Sequence, residues 1–332
     1  VLAMPISFKE DHISQIPALL MLEKLGYTYL TPDEALALRG GNLANVLLEP
    51  VLRKQLAAIN VVQVSSVRTT VFSEQNITAG IDALRNIPMD EGFMEASQTV
   101  YDLLTSGKTL EQIVDGDRKS FVMQYIDWKN PRNNVFHVTE EFAVSRTGMT
   151  ETYRPDIVLF VNGIPLCVIA CKRPDVKDSI EQAISQHLRN QKADGIRSLY
   201  LYSTLLLAIN RQEGSYATTA TPEKFWARWR EQFTNREEEV RYRQELERVV
   251  NEPLLDDKLF GERFGYVRRN FEELYRQPVI PSVQDEYLYN LCRPERLLQL
   301  MYGFTLYDDG IKKVARYQQY FAVRQTMQRI RH

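Results

Sequence analysis

The sequence predicts an α/β protein: a mixed sheet flanked by helices, with a helical N-terminal region and a helical C-terminal linker. Three observations carry this. Residues 156–161 and 165–172 are rich in Val, Ile and Leu and are joined through Asn162-Gly163, a hairpin signal. Residues 179–192 then read as a helix and residues 199–210 as another buried strand. Over the first ~125 residues and again after Pro222 the pattern is mostly helical.

The elements follow in order. Residues 10–24 read as largely helical, with Ile13, Ile16, Leu20 and Leu22 on one face and Gly26 placed to end it. Pro17 must kink this helix or sit in its first turn. Residues 27–30 suit a short strand. Residues 42–60 are helical in pattern, and Pro50 either kinks that helix or starts a new one at its first position. Residues 78–85 and 94–104 are further helices. From Asn134 the texture changes, and residues 135–144 alternate like a strand; 216–219 suit a short one. Residues 225–250, with Trp226, Trp229 and Phe233 among many Arg and Glu, read as a solvated helix laced by ion pairs. A last helix is expected from Ile311.

Composition bounds the function. The 332 residues allow about two domains. The net charge of −2 excludes a histone-like basic protein but not a local basic groove. The final stretch holds such a block, with Lys312, Lys313, Arg316, Arg324, Arg329 and Arg331, suited either to nucleic acid or to an acidic neighbouring domain. Cys167 and Cys171 read as reduced core residues, because no His or second Cys pair stands nearby to complete a metal site. No apolar run is long enough for a membrane span, and no signal peptide opens the chain, so a cytoplasmic location is expected. Gly107-Lys108-Thr109 imitates the end of a phosphate-binding loop. Asp102 stands where the pattern needs its first Gly, and no other Gly-Lys-Ser/Thr occurs, so the chain has no P-loop. Gly107 is expected to end one helix and Thr109 to cap the next, with Gln112 at its third position.

The chemistry is expected in the stretch from Arg154 to Pro174. Asp156 opens one apolar strand and Lys172 closes the next. Charge at such positions is costly unless it is used. Metal-dependent phosphodiester cleavage needs carboxylates to hold Mg²⁺ and a cation near the reacting phosphate. A surface Asp and a snorkelling Lys at strand ends is the competing reading. Geometry separates the two. A strict two-residue turn would set Asp156 opposite Ile169, on the wrong face. A three-residue loop, pairing Val161 with Pro165, or else a bulge, sets it opposite position 170 and beside Lys172.

These residues resemble the N-terminal nuclease domain of type I restriction endonuclease R subunits, members of the PD-(D/E)xK nucleases. The hairpin from Pro155 to Lys172 is the most specific piece. Leu47-Leu-Glu-Pro-Val-Leu-Arg53, Asp127-Trp-Lys-Asn-Pro-Arg-Asn-Asn134, Val138-Thr-Glu-Glu-Phe142, Gln182-Ala-Ile-Ser-Gln-His187 and the run from Leu201 to Asn210 are similar to other segments. Lys313-Val-Ala-Arg-Tyr-Gln-Gln-Tyr-Phe-Ala-Val323 resembles the approach to a helicase-like motor. The resemblance implies a nuclease domain over residues 1–222 and a helical linker over 223–332 that leads toward that motor. It implies an N-terminal fragment, with ATP bound only in the full-length subunit. It implies Mg²⁺ at the nuclease site, double-stranded DNA as substrate, and methyltransferase (M) and specificity (S) subunits as partners, with no membrane role.

Residue by residue, the resemblance makes Asp156 the metal-binding acid, Lys172 the catalytic lysine and Gln186 the Gln of a Q-x-x-x-Y motif that positions DNA. Two positions depart from it. Asn190 replaces the Tyr of that motif. Ala170 replaces the Glu of E-x-K, a catalytic and metal-binding position. Cys171 cannot substitute, since it alternates to the other face and thiolate suits Mg²⁺ poorly. This chain is therefore expected not to cut DNA. An introduced change and natural decay both account for Ala170, and the intact surroundings favour the first. Glu10 and Asp11 are candidates for a supplementary acid, while Ser14 and Gln15 occupy the place where one is expected. Lys172, Arg173, Lys177, Arg189 and Lys192 form a candidate DNA-backbone cluster, a solvated face being the competing reading for the last three. The alternative function is a non-catalytic DNA clamp or assembly module, with the Trp226 and Trp229 region as its interface.

Overall fold

A computed structural model of the chain describes residues 14–65, 67–253 and 258–331. Helix α1 (Ile16–Lys24) carries Pro17 in its first turn, where a missing N–H breaks no helical bond. Strand β1 (Thr28–Leu30) leads to α2 (Pro32–Ala37), opened by a capping box between Thr31 and Glu34. Helix α3 (Glu49–Ile59) has Pro50 in its first turn, so the proline starts a helix rather than kinking one. A small hairpin, β2 (Val61–Gln63) and β3 (Thr69–Val71), precedes α4 (Glu74–Arg85) and α5 (Phe93–Ser106).

Gly107 ends α5, but Thr109 caps no helix. Residues Lys108–Val114 form β4, paired with β5 (Asp117–Met123). Alternating half-burial along β4 shows why: its side chains alternate between two faces, a period of two that a capping signal conceals. Strands β6 (Phe136–Glu140), β7 (Val144–Ser145), β8 (Thr152–Tyr153), β9 (Ile157–Val161) and β10 (Ile164–Cys171) follow. The expected strand over 135–144 is thus two strands, broken where Glu141 takes a left-handed φ of 48°. Helix α6 (Ser179–Asn190) and the short α7 (Arg197–Tyr200) cross over to β11 (Leu205–Ile209) and β12 (Gly214–Ala217).

The central sheet runs β1-β6-β9-β10-β11-β12. β1 lies parallel to β6 and β10 parallel to β11; the other pairs are antiparallel. Every residue of β9, β10 and β11 is buried, which explains their unbroken apolar runs. Cys167, Cys171 and Cys292 are buried thiols without a disulfide.

After Thr221 the chain departs from the expected long helix. Trp226 and Trp229 lie on an extended segment, where Ala227 bridges to Tyr216 of the edge strand β12. Helix α8 starts only at Arg236 (Arg236–Val250), capped by Asn235. Helices α9 (Arg268–Leu274), α10 (Val283–Cys292) and α11 (Pro294–Gly303) follow. The last helix does not begin at Ile311: Thr305–Asp308 (β13) and Ile311–Val314 (β14) form a hairpin, and α12 spans Tyr317–Arg331. Lys312 is buried, its ammonium 3.1 Å from the Ser203 carbonyl, and burial lowers its pKa to about 7. It is therefore an internal anchor and not one of the exposed cations of the basic block. No helix among the described residues is long and apolar enough to cross a membrane.

Candidate active site

The site is set by how the β9–β10 hairpin counts its residues. Asn162 and Gly163 both have positive φ (52° and 84°), the signature of a two-residue type I′ turn. Val161 therefore pairs with Ile164, not with Pro165 as a three-residue loop requires. Asn162 is buried and accepts from the Val135 N–H while donating to the Tyr125 carbonyl. A Cβ on Gly163 would stand 2.6 Å from the Leu48 carbonyl oxygen, so the tip fits against the start of α3 only as glycine.

A tight turn alone would put Asp156 on the wrong face. The register is corrected further along: Pro165 pairs with Phe160, then Cys167 with Leu159, leaving Leu166 as a one-residue bulge. From there Val168 faces Val158 and Ile169 faces Ile157, so the next residue out, Asp156, comes opposite Ala170. The sequence asks for an odd loop or a bulge; the chain uses the bulge.

Asp156 is held from three directions. One oxygen accepts from the Cys171 N–H at 2.8 Å and lies 3.5 Å from the Lys172 ammonium. The other accepts from Gln186 Nε2 at 3.1 Å. The Asp156 and Lys172 side chains are each only 14% exposed, so their attraction is poorly screened. Asp156, Lys172 and Gln186 thus converge. Ala170 completes the group as a methyl, buried in a small apolar cluster with Ile180, Ala183 and Ile184 of α6 and Ala208 of β11.

Helix α6 is anchored behind Gln186 by His187. Its ring nitrogens lie 2.9 Å from the Tyr200 hydroxyl and from the Leu207 carbonyl oxygen. Burial is the main reason its pKa falls to about 4, so it is neutral at physiological pH. Asn190, at the place of the motif's Tyr, is buried at the end of the same helix.

Of the basic residues, Arg173 is paired with Asp175, Arg189 lies over the Tyr153 ring, and Lys177 and Lys192 are exposed. Arg189 belongs to α6, and the others flank that helix in the chain.

A second group of residues approaches Asp156 from the chain just before α1 and from the end of β6; Gln15 stands where the sequence suggests a supplementary acid, while Glu141 and Arg263 are not assigned by the sequence. A polar cleft of about 230 Å³ is lined by Gln15, Glu140, Glu141, Asp156, Cys171, Arg263 and Phe264. Gln15, just before α1, donates through Nε2 to the Asp156 carbonyl at 2.9 Å. Glu141 donates its N–H to the same carbonyl at 3.0 Å. Burial, and then the Asp156 charge, raise the pKa of the Glu141 carboxyl. The adjacent acids of Val138-Thr-Glu-Glu-Phe142, at the end of a strand, are the available signal. Glu10 and Asp11 lie outside the described residues.

These donors do not fit a Mg²⁺ centre. Mg²⁺ needs near-octahedral oxygen coordination. Here Asp156 is engaged by three protein donors, position 170 offers a methyl, and no group of three acid, His or Cys side chains among the described residues forms a metal cluster.

A mixed sheet flanked by helices, carrying its polar cluster at a strand end, is an α/β nuclease-like fold. The chain belongs to the family described as "Type I restriction enzyme R protein N terminus", whose family model matches residues 7–225. It is 25% identical over 331 residues to the "Type I restriction enzyme HindI endonuclease subunit" of Haemophilus influenzae, covering 96% of this chain and 26% of that protein. It is 24% identical over 329 residues to the "Putative type I restriction enzyme MjaIXP endonuclease subunit" of Methanocaldococcus jannaschii, covering 96% of this chain and 28% of that protein. The chain thus spans about a quarter of the length of the curated relatives it matches.

Proposed function

We propose that this chain is the DNA-cleavage region of the restriction subunit of an ATP-dependent type I restriction-modification system, disabled by Ala170. The observation that carries the reading is the bulge at Leu166, which brings Asp156 opposite position 170 with the Lys172 ammonium 3.5 Å away. In this reading Asp156 is one of the two anionic ligands that a Mg²⁺ ion would need, the second, expected at 170, is absent, and Lys172 faces the scissile phosphate. Gln186 orients the acid and the DNA strand. Lys172, Arg173, Lys177, Arg189 and Lys192 meet the backbone of double-stranded DNA without reading its bases. Residues 1–222 are the nuclease domain and 223–332 the connection toward an ATP-driven motor, working with methyltransferase (M) and specificity (S) subunits in the cytoplasm.

With a methyl at 170, one of the two principal anionic ligands is gone. The prediction is a cleavage-deficient protein. The test is Ala170→Glu in the full-length subunit, assembled with its partners and given ATP, Mg²⁺ and supercoiled plasmid. Linear product should rise by at least about a hundredfold over the Ala170 protein. A correctly folded A170E complex that still leaves plasmid intact sinks the nuclease reading. That outcome favours the second one, a DNA clamp or assembly module, which the fully formed apolar cluster around Ala170 supports.

A further inference from the structure

Arg263 lies beyond the residues that the family model matches, yet its side chain reaches the cleft beside Asp156. Its Nε and Nη2 donate to the two Glu140 oxygens at 2.9 and 3.0 Å, a bidentate pair. The Tyr29 hydroxyl donates to the same carboxylate at 2.8 Å. One edge of the guanidinium is thus fixed, and Nη1 has no hydrogen-bond partner among the described residues.

The pair is lopsided. Glu140 is fully buried, whereas the Arg263 side chain is 43% exposed. The same molecule holds an enclosed arginine for comparison: Arg296 faces Glu231 with both side chains sequestered, 4% and 12% exposed. Among the described residues lining the cleft, Arg263 is also the single cation, and it shares the cleft with Asp156 and Glu141. An arginine aimed by a buried carboxylate, with its other edge open to a cleft, has the geometry for a tetrahedral oxyanion.

We propose that Arg263 binds a backbone phosphate of DNA on the α1 side of Asp156, away from Lys172, and that Glu140 is its positioning residue. This rests on the nuclease reading above and adds a contact supplied by the C-terminal stretch.

The test uses this 332-residue chain and a fluorescein-labelled duplex of about 30 bp, read by anisotropy across a salt series. Removing Arg263 alone would strand Glu140, so the variant is the paired Arg263→Met with Glu140→Gln, its fold checked by circular dichroism. Affinity should fall about tenfold, and the slope of log K against log salt should flatten by about one. Unchanged affinity and slope in the folded variant overturn the proposal and make Arg263 only a counter-ion. If the paired variant does not fold, phenylglyoxal labelling of the unmodified chain decides. Duplex DNA should protect Arg263, as read by mass spectrometry, and equal labelling with and without DNA overturns the proposal. No duplex binding by the unmodified chain overturns it together with the DNA contacts of the nuclease reading. Restored cleavage by A170E alongside an inert Arg263 removes only this inference.

Discussion

The register of the β9–β10 hairpin is set by residues within the hairpin, its tip being braced by Leu48, Tyr125 and Val135, whereas the stretch after Thr221 is shaped by residues far away. In the hairpin a two-residue turn, a one-residue bulge and unbroken apolar runs act within a few positions of one another. In the later stretch, Arg296 of α11 reaches back to Glu231, which also accepts from the Trp229 indole N–H. That arginine lies over the Tyr320 ring of α12, and Trp229 packs edge-on against the same ring. Lys312 of β14 is anchored on Ser203. The contrast teaches that the site's register is a local property, while the segment carrying Arg263 depends on tertiary contacts.

The sharpest way to break this contrast is to delete Leu166. Without the bulge, one flank of the hairpin must flip every side chain to the other face. A loss of more than about 4 kcal/mol in urea unfolding is expected, or no folded protein at all. A deletion variant of near-native stability would show that the bulge does not set the register. On the distant-contact side, Arg296→Ala leaves Glu231 partly buried without its partner. That should cost about 3 kcal/mol, measured the same way. A loss below about 1 kcal/mol would make the pair dispensable.

Legibility follows the same division. The sheet, its hairpin and α6 can be read because apolar periodicity and Asn162-Gly163 are local signals. The bulge can be inferred only from the chemistry it serves, because the turn residues favour the tight turn and nothing in Pro165-Leu166-Cys167 marks an extra residue. Lys108–Val114 misleads because Gly-Lys-Thr imitates a helix stop and cap. Trp226 and Trp229 mislead because charged neighbours imitate a solvated helix, while Trp226 packs against His187 of α6 and Trp229 is buried against Tyr320 of α12. Lys312 misleads because it falls in a basic run, while its ammonium is buried on Ser203. Asp156, Lys172 and Gln186 can be grouped through the resemblance. Gln15 stands where the sequence suggests a supplementary acid, whereas Glu141 and Arg263 cannot be grouped this way, since each reaches the site from a different part of the chain.

A pH titration sharpens the comparison at α6. His187 has a folded pKa near 4 against 6.5 for the free side chain. As pH falls below 6.5 the unfolded chain takes up a proton that the folded chain refuses. Stability is full above 6.5, falls as pH drops toward 4, and changes no further from this group below that. The loss should approach about 3 kcal/mol. In His187→Gln this component should vanish; an identical pH profile would assign the loss elsewhere. Gly163→Ala forces a side chain onto a φ of 84° and against the Leu48 carbonyl. It should cost about 2 kcal/mol by thermal unfolding, and a neutral result would show that the tip can move. The smallest effect belongs to the exposed cations. Lys177→Ala with Lys192→Ala should leave stability within about 0.5 kcal/mol yet weaken duplex binding about threefold at low salt. Unchanged binding would return both to a solvated face.

The central claim is that one missing carboxylate separates this site from a working one. Calorimetric titration of Mg²⁺ into the unmodified and the A170E chains tests it most directly. Binding should be at least about tenfold tighter in A170E, and that gain should be lost again when Asp156→Asn is added. Equal Mg²⁺ affinity in the folded unmodified and A170E proteins would contradict the claim.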